Sequence, residues 1–462
     1  MVKIGLEIHI QLKTDTKLFC GCSAKWQGKE PNTNTCEICL GMPGSKPRLN
    51  EKAIDYGLKV GLALGCEFPK TMFFSRKNYF YPDMSKNFQI TQYEVPIAKN
   101  GKFDLGGKEI NITRINLEED PARLVHPESI TKSSYVLVDY NRSGVPLCEI
   151  VTAPDFREPK EARIFLQELT SVLEYLDVFD SDMEASMRVD ANISIGEIRV
   201  EVKNITGFKD VQKALRYEMV RQRDLIGKGK QVRRETRTWD QENEVTHSLR
   251  TKEEEAEYGY IFEPDLTRQV LSKDKIKKMK SNLPELAKEK IKRYKEEYDI
   301  PKDLSKPIVS SLALADIFEK VTGEIDPLFA AKFISEKLKK TLNYNNLNIK
   351  DTSIEPKHLS KLLKMLKEGK ITERVAEKML RELVVSKQPD KIFKEGEKMT
   401  TIKDKGELSD VVEKVISDNS QAVMDYKAGK EEAFNFLVGQ VMKESKGRAD
   451  PEKVREILKK KL

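Results

Sequence analysis

Three kinds of residue in this chain have the type and spacing for chemistry: close cysteine pairs, acids set among apolar neighbours, and basic residues interleaved with aromatics. Cys20 with Cys22 and Cys36 with Cys39 form two pairs bridged by the loop Pro31-Asn32-Thr33-Asn34-Thr35. Four thiolates at that spacing match a tetrahedral zinc staple, and a closed four-thiolate shell leaves zinc no open position for water, which favours a structural role. The competing reading is a set of buried or unpaired thiols. Among the acids, Glu149 in Pro146-Leu147-Cys148-Glu149-Ile150-Val151 is costly to bury unpaired, so it needs a cation, a partner or open solvent. Glu118-Glu119-Asp120 places three carboxylates together, and their repulsion favours a divalent metal or nearby Arg side chains. With Glu7 and His9 these acids outline a magnesium site of carboxylate oxygens and one imidazole, although imidazole alone suits zinc or manganese better. Against this stands a dispersed set of surface acids. Ser75-Arg76-Lys77-Asn78-Tyr79-Phe80-Tyr81-Pro82-Asp83 suits anion contact and base or ribose stacking, or else an aromatic core edge with snorkelling Arg and Lys. The chain has no Gly-rich phosphate loop ending in Gly-Lys-Ser/Thr, so any nucleotide must be held by metal and side chains.

Strands are needed to position these groups. In Gly5-Leu6-Glu7-Ile8-His9-Ile10-Gln11-Leu12 the apolar residues alternate with Glu7, His9 and Gln11, which predicts a buried face behind and a ligand face in front. Arg188-Val189-Asp190-Ala191-Asn192-Ile193-Ser194 shares that design, as do Arg199, Glu201 and Lys203 against Ile198, Val200 and Val202, with Ile195-Gly196-Glu197 turning one into the other. Antiparallel strands of this kind build an open sheet whose exposed side is a polar cleft or, for any single strand, a solvated surface.

At 462 residues the chain is too long for one core, which points to roughly two to four domains. No run of eighteen apolar residues appears, and Met1-Val2-Lys3-Ile4 lacks the regions of a secretory signal, so we expect a soluble cytoplasmic protein without membrane contact. In that reducing compartment disulfides are not expected, and Cys66 and Cys148 read as ordinary core thiols. A net charge of +7 with 34% charged residues permits nucleic-acid contact without showing it. Up to about Leu266 short β-branched and aromatic runs alternate with turn signals, the clearest being Asn100-Gly101, Gly106-Gly107 and Ser143-Gly144. From about Ser272 Lys/Glu-rich helical stretches follow, broken by Pro284, Pro301, Pro307, Pro327 and Pro356. Met399-Thr400-Thr401-Ile402 runs into the turn-prone Lys403-Asp404-Lys405-Gly406, a connector between helical blocks. The expected class is α+β: an antiparallel-sheet-rich cradle over residues 1–285 carrying the zinc staple, a helical domain over 286–402 and a small helical tail over 403–462.

Seven words in order resemble one family. They are Gly5-Leu6-Glu7-Ile8-His9, Arg76-Lys77-Asn78-Tyr79-Phe80-Tyr81-Pro82-Asp83, Leu117-Glu118-Glu119-Asp120, Val138-Asp139-Tyr140-Asn141-Arg142, Pro146-Leu147-Cys148-Glu149-Ile150-Val151, Arg188-Val189-Asp190-Ala191-Asn192-Ile193-Ser194 and Phe436-Leu437-Val438-Gly439-Gln440. Together they resemble the B subunits of the tRNA-dependent aspartyl/glutamyl-tRNA amidotransferases, from end to end. The related archaeal E subunits carry a large synthetase-like insertion for which this chain has no room.

That resemblance implies a chain that binds tRNA mischarged with aspartate or glutamate and uses ATP and magnesium to phosphorylate the side-chain carboxylate. Ammonia released from glutamine by the amidase A subunit, in a complex that includes a small C subunit, then displaces phosphate to give asparaginyl- or glutaminyl-tRNA. Carried over by motif, Glu7, His9, Glu119 and Glu149 hold magnesium and Glu118 supports them, while the cysteines match the zinc site of many members. We add Arg76 with Lys77 as phosphate contacts. The C-terminal block resembles the family's tRNA-binding tail, where Lys443, Lys446 and Arg448 suit phosphate contact or a merely solvated basic helix end. One departure stands out: Gly259, in Glu257-Tyr258-Gly259-Tyr260, replaces an arginine usual in bacterial members, so no role of that arginine transfers. The chain shows no amidase signature and no cysteine nucleophile with a paired base, so its ammonia must come from a partner. The rival reading is a zinc-stapled tRNA-binding scaffold without catalysis of its own.

Overall fold

Alternation of apolar and polar residues is realised in an eight-stranded sheet. The computed structural model describes residues 1–127, 133–183, 185–251, 259–396, 401–402 and 405–462, which divide into two compact units, 1–286 and 287–462. The first unit carries β1 (Val2–Gln11), β2 (Thr71–Met72), β3 (Ser75–Asn78), β4 (Phe88–Thr91), β5 (Ala98–Asp104), β6 (Glu109–Glu119), β7 (Arg123–Val125) and β8 (Leu137–Asp139). It continues with β9 (Pro146–Thr152), β10 (Met187–Ile195), β11 (Val200–Ile205), β12 (Glu235–Asp240), β13 (Val245–Thr251), β14 (Gly259–Phe262) and β15 (Gln269–Val270). The main sheet runs β13-β12-β11-β10-β1-β9-β6-β5, antiparallel at every step except β11 beside β12, and a small sheet runs β14-β3-β4.

One face of the main sheet is sealed by three helices, α1 (Glu51–Ala63), α2 (Pro159–Tyr175) and α3 (Phe208–Gly227), which strand and turn signals alone do not reveal. Ile4, Leu6, Ile8 and Ile10 of β1 share one core with Leu58, Phe165, Leu169 and Leu215 from those helices. A signal for α2 is present in the sequence: Glu158 and Glu161 form a capping box around Pro159 at the first turn, ahead of Ala162, Phe165, Leu166, Leu169 and Leu173 at helical spacing.

Turn signals divide in outcome. Gly106-Gly107 closes the β5–β6 hairpin with φ of 66° and 98°. Asn100-Gly101 instead lies inside β5: Asn100 takes φ 56°, and a Cβ on Gly101 would stand 2.4 Å from Cys66 Sγ, so close packing rather than reversal requires this glycine. Among the described residues, no strand follows Val270.

The second unit is helical, with one apolar cluster from Tyr294 to Phe393 and another from Ile402 to Leu458. Pro327 and Pro356 begin helices and Pro301 caps one, while Pro307 is tolerated inside Lys302–Val309. The expected connector at Met399-Thr400 and Lys403-Asp404, and with it the boundary at 402/403, lies outside the described residues. Among those residues no helix is long and apolar enough to cross a membrane.

Candidate functional site

Antiparallel register brings the polar side chains into rows across the open face. One row runs Arg188, His9, Glu149 and Asn116 through β10, β1, β9 and β6, and the next runs Asp190, Glu7, Val151 and Arg114. His9 Nε2 lies 3.8 Å from Glu7 Oε1, 3.8 Å from Glu149 Oε1 and 3.4 Å from Glu118 Oε1. Glu7, His9 and Glu149 each direct one donor atom to a common point, the three atoms lying within 4.8 Å of one another. The three come from β1 and β9, adjacent inner strands of a sheet with a sealed back, so their backbone positions are fixed before any ligand binds.

The electrostatics suit a cation. Burial, then repulsion from Glu7 and Glu118, pushes the Glu149 carboxyl well above the usual range. Burial also acts to raise Glu7, but His9, the hydrogen bond with Glu149 and the Lys203 ammonium more than offset it and hold Glu7 low. Two adjacent acids with opposite shifts share one proton, the state expected of carboxylates crowded together without an ion. Asn116 Nδ2 donates to Glu149 Oε2 at 2.5 Å, while Asn116 Oδ1 is buried with no partner. An orphaned amide oxygen beside two carboxylates and an imidazole is a donor set that fits a divalent cation.

Glu7 and Glu149 line a cavity of about 730 Å³ with Lys77, Arg114, Lys203, Arg234 and Tyr260. Lys203 Nζ donates to Asp190 Oδ2 at 3.0 Å and lies 3.6 Å from Glu201 Oε1. Although burial works against its charge, Asp190, Glu201 and Glu7 keep that ammonium above its usual range. Tyr260 stacks on Tyr93 with ring centroids 3.9 Å apart. Carboxylates, cations and an aromatic edge thus line one cavity. Sequence alone does not single out Arg114, Lys203, Arg234 and Tyr260 as site residues; the period-two alternation in Arg199-Val200-Glu201-Val202-Lys203 is the available signal for Lys203.

Two expected assignments change because neighbours on a strand point to opposite faces. Glu119, expected among the metal ligands with Glu118 behind them, turns away from His9: its Oε1 accepts from Lys86 Nζ and, at 2.9 Å, from the Ile90 amide nitrogen. Glu118 is the member of the pair that faces His9, and its Oε2 accepts from Thr91 Oγ1 at 3.0 Å. The same alternation on β3 puts Lys77 on the cavity wall and gives Arg76 to Glu263, with a two-pronged contact at 2.7 and 2.8 Å, and to the face of Phe88 at 4.4 Å. Asp120 completes the triplet differently again, held by Arg142 (2.5 and 3.0 Å) and Arg188 (2.6 Å).

The second cluster is built from loops. Cys20, Cys22, Cys36 and Cys39 bring their sulfurs within 4.8 Å of one another, with Cys36 and Cys39 3.9 Å apart. A zinc–thiolate tetrahedron with bonds of about 2.3 Å has sulfur–sulfur edges of about 3.8 Å, so the donor set fits zinc. The hydrogen bond from Cys20 pushes the Cys39 thiol down to about 5, against burial and helped by Lys17; burial and a hydrogen bond with Cys36 push Cys22 up to about 11. The word Val138-Asp139-Tyr140-Asn141-Arg142 folds over this loop. Asn141 Oδ1 accepts from the Asn34 amide nitrogen at 2.7 Å, and Asp139 Oδ1 accepts from that of Asn32 at 3.0 Å. Cys66 and Cys148 stand apart from both clusters, their thiols pushed up by burial.

In the second unit, Lys443 ends the helix Glu431–Glu444 and is exposed with Lys446, whereas half-buried Arg448 reaches Glu407 at 3.3 Å. Gly259 opens β14 opposite Asn78, and Glu257 and Tyr258 lie outside the described residues.

Known proteins share this chain's pattern over its whole length. The family described as the GatB/GatE catalytic domain matches residues 2–277, and the GatB domain matches 316–462. The B subunit of the aspartyl/glutamyl-tRNA(Asn/Gln) amidotransferase of Carboxydothermus hydrogenoformans is 44% identical over 473 residues, covering 99% of this chain and 98% of its own length. Its namesake in Methanosarcina barkeri is 46% identical over 488 residues, covering 100% and 98%, and that in Saccharolobus solfataricus is 44% identical over 471, covering 100% and 99%. The chain belongs to the GatB/GatE family.

Proposed function

We propose that this member of the GatB/GatE family is the ATP-dependent component of a tRNA-dependent amidotransferase, activating the side-chain carboxylate of Asp-tRNA(Asn), Glu-tRNA(Gln) or both for amidation. The observation that carries this reading is the convergence of Glu7, His9 and Glu149 beside a cavity lined by Glu7, Glu149, Lys77, Arg114, Lys203 and Arg234. A free carboxylate resists ammonia because its leaving group is oxide. Transfer of a phosphoryl group from ATP supplies a better one, and positioning with charge neutralisation is most of what a protein contributes to such a transfer. Magnesium held by Glu7, His9 and Glu149, with Glu118 behind the imidazole, would neutralise the charge of the transferring phosphate. Lys77, Arg114 and Lys203 are then the cations for phosphate oxygens, and closing the cavity over substrate would keep water from the activated acyl group.

The chain's partners in this reading are the amidase A subunit, which supplies ammonia, the small C subunit, and the mischarged tRNA. The tail binds tRNA through Lys443, Lys446 and, once released from Glu407, Arg448. Zinc at the four cysteines is structural, and the protein works in the cytoplasm. The test uses γ-labelled ATP and each mischarged tRNA with the whole complex. Wild-type protein should transfer label to the aminoacyl-tRNA, and Glu7→Gln should lose transfer while keeping tRNA affinity. Transfer at the wild-type rate by the variant would remove the catalytic role and leave the RNA scaffold.

A further inference from the structure

Lys17 is the one side chain of the cysteine loop with a full charge and no exposure to solvent. Burying an ammonium is costly unless it is both hydrogen-bonded and matched by opposite charge. Its hydrogen bonds are clear: Nζ donates to the carbonyl oxygen of Asn34 at 2.9 Å and that of Tyr140 at 3.5 Å, and lies 3.6 Å from Cys39 Sγ. Among the described residues no carboxylate lies within 4.0 Å of Nζ, and the ionisable group it contacts is the Cys39 thiol. The backbone of the same residue donates to the Cys22 carbonyl at 2.8 Å, so Lys17 touches both cysteine pairs. Gly144, whose φ of 85° favours glycine, packs beside the lysine stem and the Cys39 Cβ.

We propose that Lys17 is a positioning residue for the four-cysteine centre, its buried ammonium serving as a fixed countercharge beside Cys39 Sγ and tying the covering segment to the zinc-binding loop. This inference rests on the zinc reading given above. Four thiolates around a dication leave two negative charges in a covered loop. A buried cation fixed by two carbonyls and 3.6 Å from Cys39 Sγ offsets that charge in place. The Tyr140 carbonyl belongs to the segment that folds over the loop, so the same ammonium also joins that segment to the centre.

The test compares full-length wild-type protein with Lys17→Met, which keeps stem length and removes the charge. Zinc content is measured by elemental analysis, affinity by competition with a chromophoric chelator, and thiolate coordination by the charge-transfer bands of the Co²⁺-substituted protein. Stoichiometric zinc in the wild type with a 10- to 100-fold weaker affinity in Lys17→Met, roughly the range for residues that orient metal ligands, and shifted Co²⁺ charge-transfer bands would support the proposal. Stoichiometric zinc in the wild type with unchanged affinity and spectrum in the variant would overturn it and leave the zinc reading intact. A wild-type protein that takes up neither zinc nor Co²⁺ would overturn both. If Lys17→Met fails to fold, acylation footprinting of wild-type protein decides: Lys17 protected with zinc and reactive after chelation supports the role, and equal protection in both states refutes it.

Discussion

The first unit holds two groups of metal-donor side chains built on opposite plans. The cysteines sit on loops, every donor is a thiol, and the segment from Val138 to Arg142 covers them with Lys17 sealed inside. Glu7, His9 and Glu149 sit on adjacent strands, mix carboxylate with imidazole, and leave the side chains of Glu7 and His9 27% and 18% exposed beside the cavity. The difference separates a site that holds a fold from one that can admit a reactant. A loop cluster would gain its order from a metal, whereas the positions on β1 are ordered by the buried residues Ile4, Leu6, Ile8 and Ile10 behind them, so a substrate can come and go without disturbing them.

The comparison breaks most sharply at Asp120, the residue that ties the two regions together. Its carboxylate takes Arg142, from the segment covering the cysteines, and Arg188, the strand neighbour of His9. Asp120→Ala leaves two largely buried guanidinium groups facing each other without an anion. We expect a loss of about 3–5 kcal/mol in the stability of the first unit, measured by urea unfolding of the full chain. Phosphoryl transfer and zinc retention should fall together in this variant. Separate loss of only one would show that the ion pair serves that cluster alone.

Next in size are the substitutions that should separate the clusters. Glu7→Gln is expected to lower phosphoryl transfer by about 10²–10³-fold, the scale for removing one group that stabilises developing charge, with zinc content unchanged. Cys39→Ser should do the reverse at first: zinc is lost on purification, and activity declines with the stability of the loop. Elemental analysis beside a single-turnover assay reads both. Equal effects of the two variants on zinc would erase the distinction between the clusters.

Sequence alone shows the two donor types clearly and their grouping only in part. Spacing announces the thiols because all four lie within twenty residues of chain. The acid cluster joins strands separated by more than a hundred residues, so alternation reveals which face Glu7 and His9 share but not which acid of Glu118-Glu119 joins them. Strand direction and register decide that, and they follow from long-range pairing of β6 with β9. Arg76 shows the same limit: basic and aromatic neighbours suggest phosphate, yet its partner Glu263 lies 187 residues away. Where propensity is local, as in the helices after Ser272, the architecture is readable in advance; α1 and α3 are hidden between stronger strand signals, and α2 shows only its capping box and apolar spacing.

Proton linkage offers a subtler contrast. Burial, Glu7 and Glu118 keep Glu149 protonated at pH values where the unfolded chain has already ionised this group. The folded state therefore binds the extra proton. Without magnesium, stability from this group is present at low pH and falls as pH rises from the ordinary carboxylate range through the raised value, with a slope of up to about 1.4 kcal/mol per pH unit. Glu7, held low, acts in the opposite sense at lower pH, where its contribution is lost on acidification. Saturating magnesium takes the place of the shared proton, so it should flatten or reverse the upper slope and bind more tightly as pH rises. Thermal unfolding across pH with and without magnesium checks the sign, and zinc content should stay constant through the same window.

The smallest effects are expected where charge is neither buried nor fixed. Lys443 and Lys446 project from the end of one helix and the turn after it, and both are exposed. A solvated cation contributes to RNA affinity chiefly by releasing counterions, so each replacement by alanine should lower the slope of log affinity against log salt by about 0.9 or less. Arg448, paired with Glu407, must give up that contact before it meets phosphate, and Arg448→Ala should change affinity less than Lys443→Ala. Salt titrations of tRNA binding with each variant rank the three, while the metal content of both clusters should not move. An unchanged slope in all three would take tRNA contact away from these three side chains.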